Sequence, residues 1–156
     1  ITHKLLPGKN IFEAEIFTSG APQYRSHFFQ IHDGRSKGKP PSMVSVNKDW
    51  MIRNQHSIDC FKPNCKQLSY DAYLNPGERK NFKAELEYIN KEKKISAKYY
   101  LDGELIIQHL NVPLDTKKTD GPYGPNRPYI KIGMYRICDT GTTTFSYNKI
   151  VLKNKR

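Results

Sequence analysis

Apolar and polar residues alternate at period two along most of this chain, in short runs that break at turn-forming residues. NIFEAEIF, SHFFQIH, SMVSV, NFKAELEYI, ISAKYYL, ELIIQHL, PYIKIGMYRI and TTTFSYNKIVL each predict a strand, through alternation or through β-branched and aromatic enrichment. Between them, HDGRSKGKPP, FKPN, NPGERK, NKEKK, LDGEL and TDGPYGPNRP carry the Gly, Pro, Asn and Asp that turns require. Asp102-Gly103, set between two apolar runs, predicts a tight hairpin. KAELEYINKEKK has a helix-like composition, yet Phe82, Ala84, Leu86 and Tyr88 alternate with Lys83, Glu85 and Glu87, so the period selects a strand. A run of short strands with no repeat and no coiled coil predicts an all-β chain: a two-sheet β-sandwich of jelly-roll type with a concave groove on one sheet.

Two strands carry the candidate chemistry. In PYIKIGMYRI, Ile130, Ile132 and Met134 fall on one face, a core face, and Tyr129, Lys131, Gly133 and Tyr135 on the other. Two phenols, an ammonium and a bare backbone suit the wall of a groove better than open solvent. In HFFQIHDGR, Gln30 and His32 share one face while Phe29 and Ile31 share the opposite one. If the two strands are neighbours, an amide, an imidazole, a cation and a phenol converge on one bound group. On this parity Arg25 points away from Gln30 and His32.

Composition then narrows the partners. At 156 residues the sequence suits a single domain, residues 1–156. It opens ITHKLLPGKN, with no initiator Met and no signal-peptide core, which predicts a processed product or a piece of a longer chain. No apolar run is long enough for a helix across a bilayer, so a membrane is not an expected partner. The formal net charge of +11 favours a polyanion. Cys60 and Cys65 bracket FKPN and could close a disulfide or remain thiols with Cys138, and His56 near Cys60 offers a metal clip with no evident fourth ligand. No metal or other cofactor is called for, a structural calcium being left open.

Gln-Ile-His at 30–32 followed about a hundred residues later by Tyr-x-Lys-x-Gly-x-Tyr at 129–135 resembles the jelly-roll polysaccharide lyases, the broad group of alginate lyases, glucuronan lyases and heparin lyase I. Arg136 gives a Gly-x-Tyr-Arg ending similar to the glucuronan and heparin lyase branches. The resemblance implies a concanavalin-like jelly roll that cleaves an acidic, uronate-containing polysaccharide by β-elimination. It gives His32 the role of base or carboxylate neutraliser, Tyr135 that of proton donor or base, Gln30 that of carboxylate hydrogen-bond donor, and Lys131 that of a cation beside the sugar. Tyr129, with Arg35 and Arg127 in the flanking loops, completes the expected substrate-binding set. The group usually carries a further Arg, Asn or Gln upstream in an Arg-Ser/Thr-Glu setting, and the 29 residues before Gln30 hold no such motif. Either a segment beyond this sequence or another chain of a larger assembly supplies it, or the site binds without cleaving. An extracellular, surface or virion-associated setting, such as a tail or appendage, fits that reading.

Two competing classes are weaker. A glycoside hydrolase needs paired carboxylates, and Glu13 with Glu15 share a strand face, but a third acidic residue is missing. Nucleic-acid binding is encouraged only by net charge, since Lys and Arg are scattered over nearly every loop without a zinc-finger, RRM or helix-turn-helix pattern.

Overall fold

A computed structural model describes the chain except residues 21–24, 34–39, 56–65, 115–126, 138–142 and 156, and the side chains of residues 25, 54, 55, 66–69 and 134–137. The described residues form eleven strands and no helix: β1 (Thr2–Lys4), β2 (Gly8–Ser19), β3 (Arg25–His32), β4 (Ser42–Val46), β5 (Ile52–Gln55), β6 (Lys66–Ser69), β7 (Arg79–Ile89), β8 (Lys94–Leu101), β9 (Glu104–Pro113), β10 (Tyr129–Ile137) and β11 (Thr144–Lys155). They make two antiparallel sheets, ordered β1-β10-β3-β4-β5 and β11-β2-β7-β8-β9-β6. This is the expected two-sheet sandwich. All eight strands read from the sequence are present, and KAELEYI lies in β7. The short strands β1, β5 and β6 were not anticipated. At Asp102-Gly103 both residues have positive φ, 50° and 86°, as a two-residue hairpin between β8 and β9 demands.

The sheets bury their facing sides against each other. Phe12, Ala14 and Ile16 of β2, Phe82, Ala84 and Leu86 of β7, and Ile95, Ala97 and Tyr99 of β8 meet Phe29, Ile31, Val44, Val46, Ile130 and Ile132 of the other sheet. The Phe29 ring lies 5.2 Å from Phe12 and 5.7 Å from Tyr99, centroid to centroid. Burial of each such ring contributes roughly 1.5–3 kcal/mol. One polar chain crosses this core: Ser42 Oγ shares hydrogen bonds with the Tyr99 hydroxyl (2.6 Å) and with His109 Nδ1 (2.8 Å). It pairs groups that would otherwise be costly to desolvate.

One irregularity matters for the site. β3 gains a residue relative to β4 between His27 and Phe29, and β10 gains one relative to β3 between Ile132 and Tyr135. Phe28 and Phe29 are consecutive, and both lie in the core. The even–odd count from Gln30 therefore fails upstream of Phe28, which corrects the parity argument used for Arg25. Its backbone pairs with Ile137 on the far side of the bulge, and its side chain lies outside the described residues.

Candidate active site

β3 and β10 are direct neighbours, as the candidate site requires. Their register sets Tyr129 opposite His32 and Lys131 opposite Gln30, with Ile130 and Ile132 opposite Ile31 and Phe29 on the core side. Directly opposed residues on antiparallel strands share a face. Gln30, His32, Tyr129 and Lys131 thus form one polar cluster backed by a hydrophobic layer.

Within the cluster the imidazole is tightly held. His32 Nε2 and Gln30 Oε1 lie 2.9 Å apart. Because the amide oxygen can only accept, Nε2–H donates, and in the neutral ring the basic lone pair resides on Nδ1. The same bond turns the Gln30 NH₂ group, a donor suited to a carboxylate, away from His32. The Tyr129 ring stacks on the imidazole at 4.8 Å and 7° between planes. Gln30, His32 and Tyr129 are only 4%, 8% and 4% exposed, whereas Lys131 is exposed. Tyr129 is therefore a buried support for His32 and not the open groove wall the sequence suggested.

The remaining expected residues fall in different places. The backbone of Tyr135 pairs with His27, three residues before Gln30, and its side chain lies outside the described residues. Gly133 has φ +132°, and a Cβ there would meet nothing within 4 Å. The glycine is thus favoured by backbone conformation, and the space beside it is open. Arg127 is exposed and lines a pocket of about 310 Å³ with Lys4, Tyr88, Asn90 and Lys93, just before β10. Arg35, and the Cys60, Cys65, Cys138 and His56 readings, lie outside the described residues. Among the described residues, no group of three or more His, Cys, Asp or Glu is placed to hold a metal ion.

His27 was missed. It is buried, and it pairs with both Tyr135 and Ser45. Its neighbour Ser26 pairs with core Val46, which places His27 on the face of Gln30 and His32. The visible signal was the Phe28-Phe29 doublet: two adjacent core aromatics inside an alternating strand mark a bulge.

The paired-carboxylate alternative does not survive the geometry. Glu15 accepts from Arg79 at 2.8 Å and lies 3.5 Å from Lys149, and Glu13 lies 3.7 Å from Lys153, all on the outer face of the six-stranded sheet. The Arg79 hydrogen bond, outweighing desolvation, lowers the Glu15 pKa, opposite to what a general acid needs.

A family model described as polysaccharide lyase matches residues 11–150, which include both β3 and β10. The chain belongs to the polysaccharide lyase family. Among solved structures it is similar to the alginate lyase AlgAT5 from polysaccharide lyase family 7, with a TM-score of 0.61, 13% identity, and 100% of this chain against 63% of that one. The alginate lyase from Corynebacterium sp. gives 0.60, 12%, 99% and 62%, and the family 7 alginate lyase AlyA1 from Zobellia galactanivorans 0.60, 12%, 99% and 65%. At that identity these likenesses show the jelly-roll fold alone. The polysaccharide lyase chain spans less than two thirds of the length of each of the three. No match was found among curated proteins.

Proposed function

We propose that this polysaccharide lyase domain cleaves an acidic, uronate-containing polysaccharide by β-elimination, in an extracellular or surface-borne setting. The observation that carries the reading is the register of β3 on β10, which gathers Gln30, His32, Tyr129 and Lys131 on one face. The reaction removes the proton at C5 of the uronate and expels the C4 oxygen. The C5 proton is weakly acidic, so neutralising the adjacent carboxylate and stabilising the developing enolate supply much of the rate. Gln30 is set to donate to the carboxylate, and Lys131 adds a cation one strand away. His32 takes the C5 proton or neutralises the carboxylate, and Tyr135 donates to the leaving oxygen or is itself the base. The stereochemistry of the uronate decides between these assignments.

Incubation of the full-length protein with alginate, glucuronan, heparin and hyaluronan tests the proposal. Ultraviolet absorbance of an unsaturated uronate should rise with at least one of them. Saturable binding without product would instead favour a non-catalytic glycan module, the reading to which the missing upstream Arg motif points. No binding to any polyuronate would sink both.

A further inference from the structure

The bulge that sets the register of Tyr135 is held from the opposite sheet. If the pairing of Ile132 with Phe29 continued without a shift, Tyr135 would lie opposite Ser26, the neighbour of core Val46; the observed shift places it opposite His27. Such a shift disrupts the local ladder, so the backbone groups around it need other partners. Phe28 falls at the shift in both ladders of β3, and its carbonyl accepts a hydrogen bond from the Tyr147 hydroxyl of β11 at 2.7 Å. Phe145, two residues earlier on β11, stacks on the Phe28 ring at 5.4 Å and 17°. The backbone of Gly133, whose φ of +132° marks the irregular part of β10, lies near enough to the same phenol to lower its pKa. Burial nevertheless pushes the Tyr147 pKa well above the ordinary tyrosine range, so the hydroxyl stays a neutral donor at any working pH.

We propose that Tyr147 is a positioning residue for the lyase site: by holding the Phe28 carbonyl at the shift it locks the double bulge and thereby the pairing of Tyr135 with His27. The effect on turnover rests on the lyase reading above, whereas the effect on register does not. Among the described residues, Tyr147 makes no hydrogen bond or ring contact with the groups assigned to substrate. It acts through the backbone, where a displacement of about 1 Å at a reacting group can lower turnover by about 100-fold.

The test uses the full-length protein. In wild type, NMR should show a slowly exchanging Tyr147 hydroxyl proton, and its absence overturns the proposal whether or not any variant folds. In Tyr147→Phe, the cross-strand backbone NOEs between His27 and Tyr135 should vanish while those between Gln30 and Lys131 persist. The kcat of that variant should fall about 100-fold with KM within about twofold, since binding groups stay in place. Phe145→Leu should lower the melting temperature yet keep the His27–Tyr135 NOEs and kcat. Retained His27–Tyr135 NOEs in Tyr147→Phe, or losses of kcat that follow melting temperature alike in both variants, would overturn the proposal. A wild type inactive on every polyuronate defeats the lyase reading, and the NOEs still decide the register.

Discussion

His32 is fixed by a hydrogen bond to Gln30 in its own strand and by the Tyr129 ring across the ladder. Its ring position is therefore set by the sheet before any sugar arrives. His32→Ala should lower turnover by about 10² to 10⁴-fold, the range for loss of a positioned acid or base. Burial predicts a second effect that strand parity alone would not: the buried Gln30 carbonyl loses its donor, which costs about 1–3 kcal/mol in chemical denaturation. Lys131→Ala should change stability by less than about 0.5 kcal/mol while raising KM for a polyuronate, because that side chain is exposed. Ile132→Ala, which empties a buried core position in the next residue, should cost about 2–5 kcal/mol. Gly133→Val should destabilise by about 1–3 kcal/mol through its backbone angle alone, with open space around the new side chain. A fully stable Gly133→Val variant that merely fails to bind would refute this and point instead to a close approach of sugar to the backbone.

At the scale of elements, every long strand was legible, because five or more residues of alternation cannot be mistaken for a helical period. β1, β5 and β6 were not, since THK, IRNQ and KQLS are too short to show a period and gain order only by pairing at sheet edges. Gln30, His32 and Lys131 were legible as same-face residues within their own strands. That the two strands are neighbours is a fact of topology, with about a hundred residues between them, and no local pattern encodes it. Neither the proposed role of Tyr147 nor the face of His27 was read, because both follow from a bulge that shifts the count by one residue and whose local sign is the Phe28-Phe29 doublet alone. The six-stranded sheet holds its outer face together differently, through charge pairs within and between strands. Lys83 Nζ lies 2.6 Å from Glu85, and that hydrogen bond, outweighing desolvation, keeps the Glu85 carboxyl below its ordinary value of 4.5. A lowered carboxylate pKa adds stability that is present above the unfolded value and lost as pH falls through the folded one. The melting temperature should accordingly decline as pH drops below about 4.5, and Glu85→Gln should flatten that decline relative to wild type. Parallel pH profiles for the two proteins would show that the pair contributes nothing measurable, the usual outcome for exposed ion pairs.

Across the whole molecule the net charge of +11 is unevenly available to a ligand. Arg79, Lys80, Lys83, Lys149 and Lys153 are each engaged with carboxylates on or beside the six-stranded sheet. By contrast, the pocket at the entrance to β10 is lined by Lys4, Lys93 and Arg127 with no carboxylate among the described residues, and Lys131 lies along the same strand. Lys4 also pairs with Tyr129, the support of His32, so this basic pocket borders the candidate site. A polyuronate laid along β10 would meet cations that form no ion pair among the described residues. Its affinity should fall steeply with salt, because each contact releases counterions from the polymer and is screened over about 8–10 Å at ordinary ionic strength. Lys4→Ala and Arg127→Ala should each reduce the slope of log affinity against log salt, while Lys153→Ala, on the opposite sheet and beside Glu13, should leave it unchanged. Titration at several salt concentrations with a fluorescent polyuronate, with duplex DNA as competitor at matched charge, decides the matter. Equal slopes for all three variants, or DNA competing as well as the polyuronate, would mean that the charge acts as a diffuse field and that the β10 face does not select an acidic sugar.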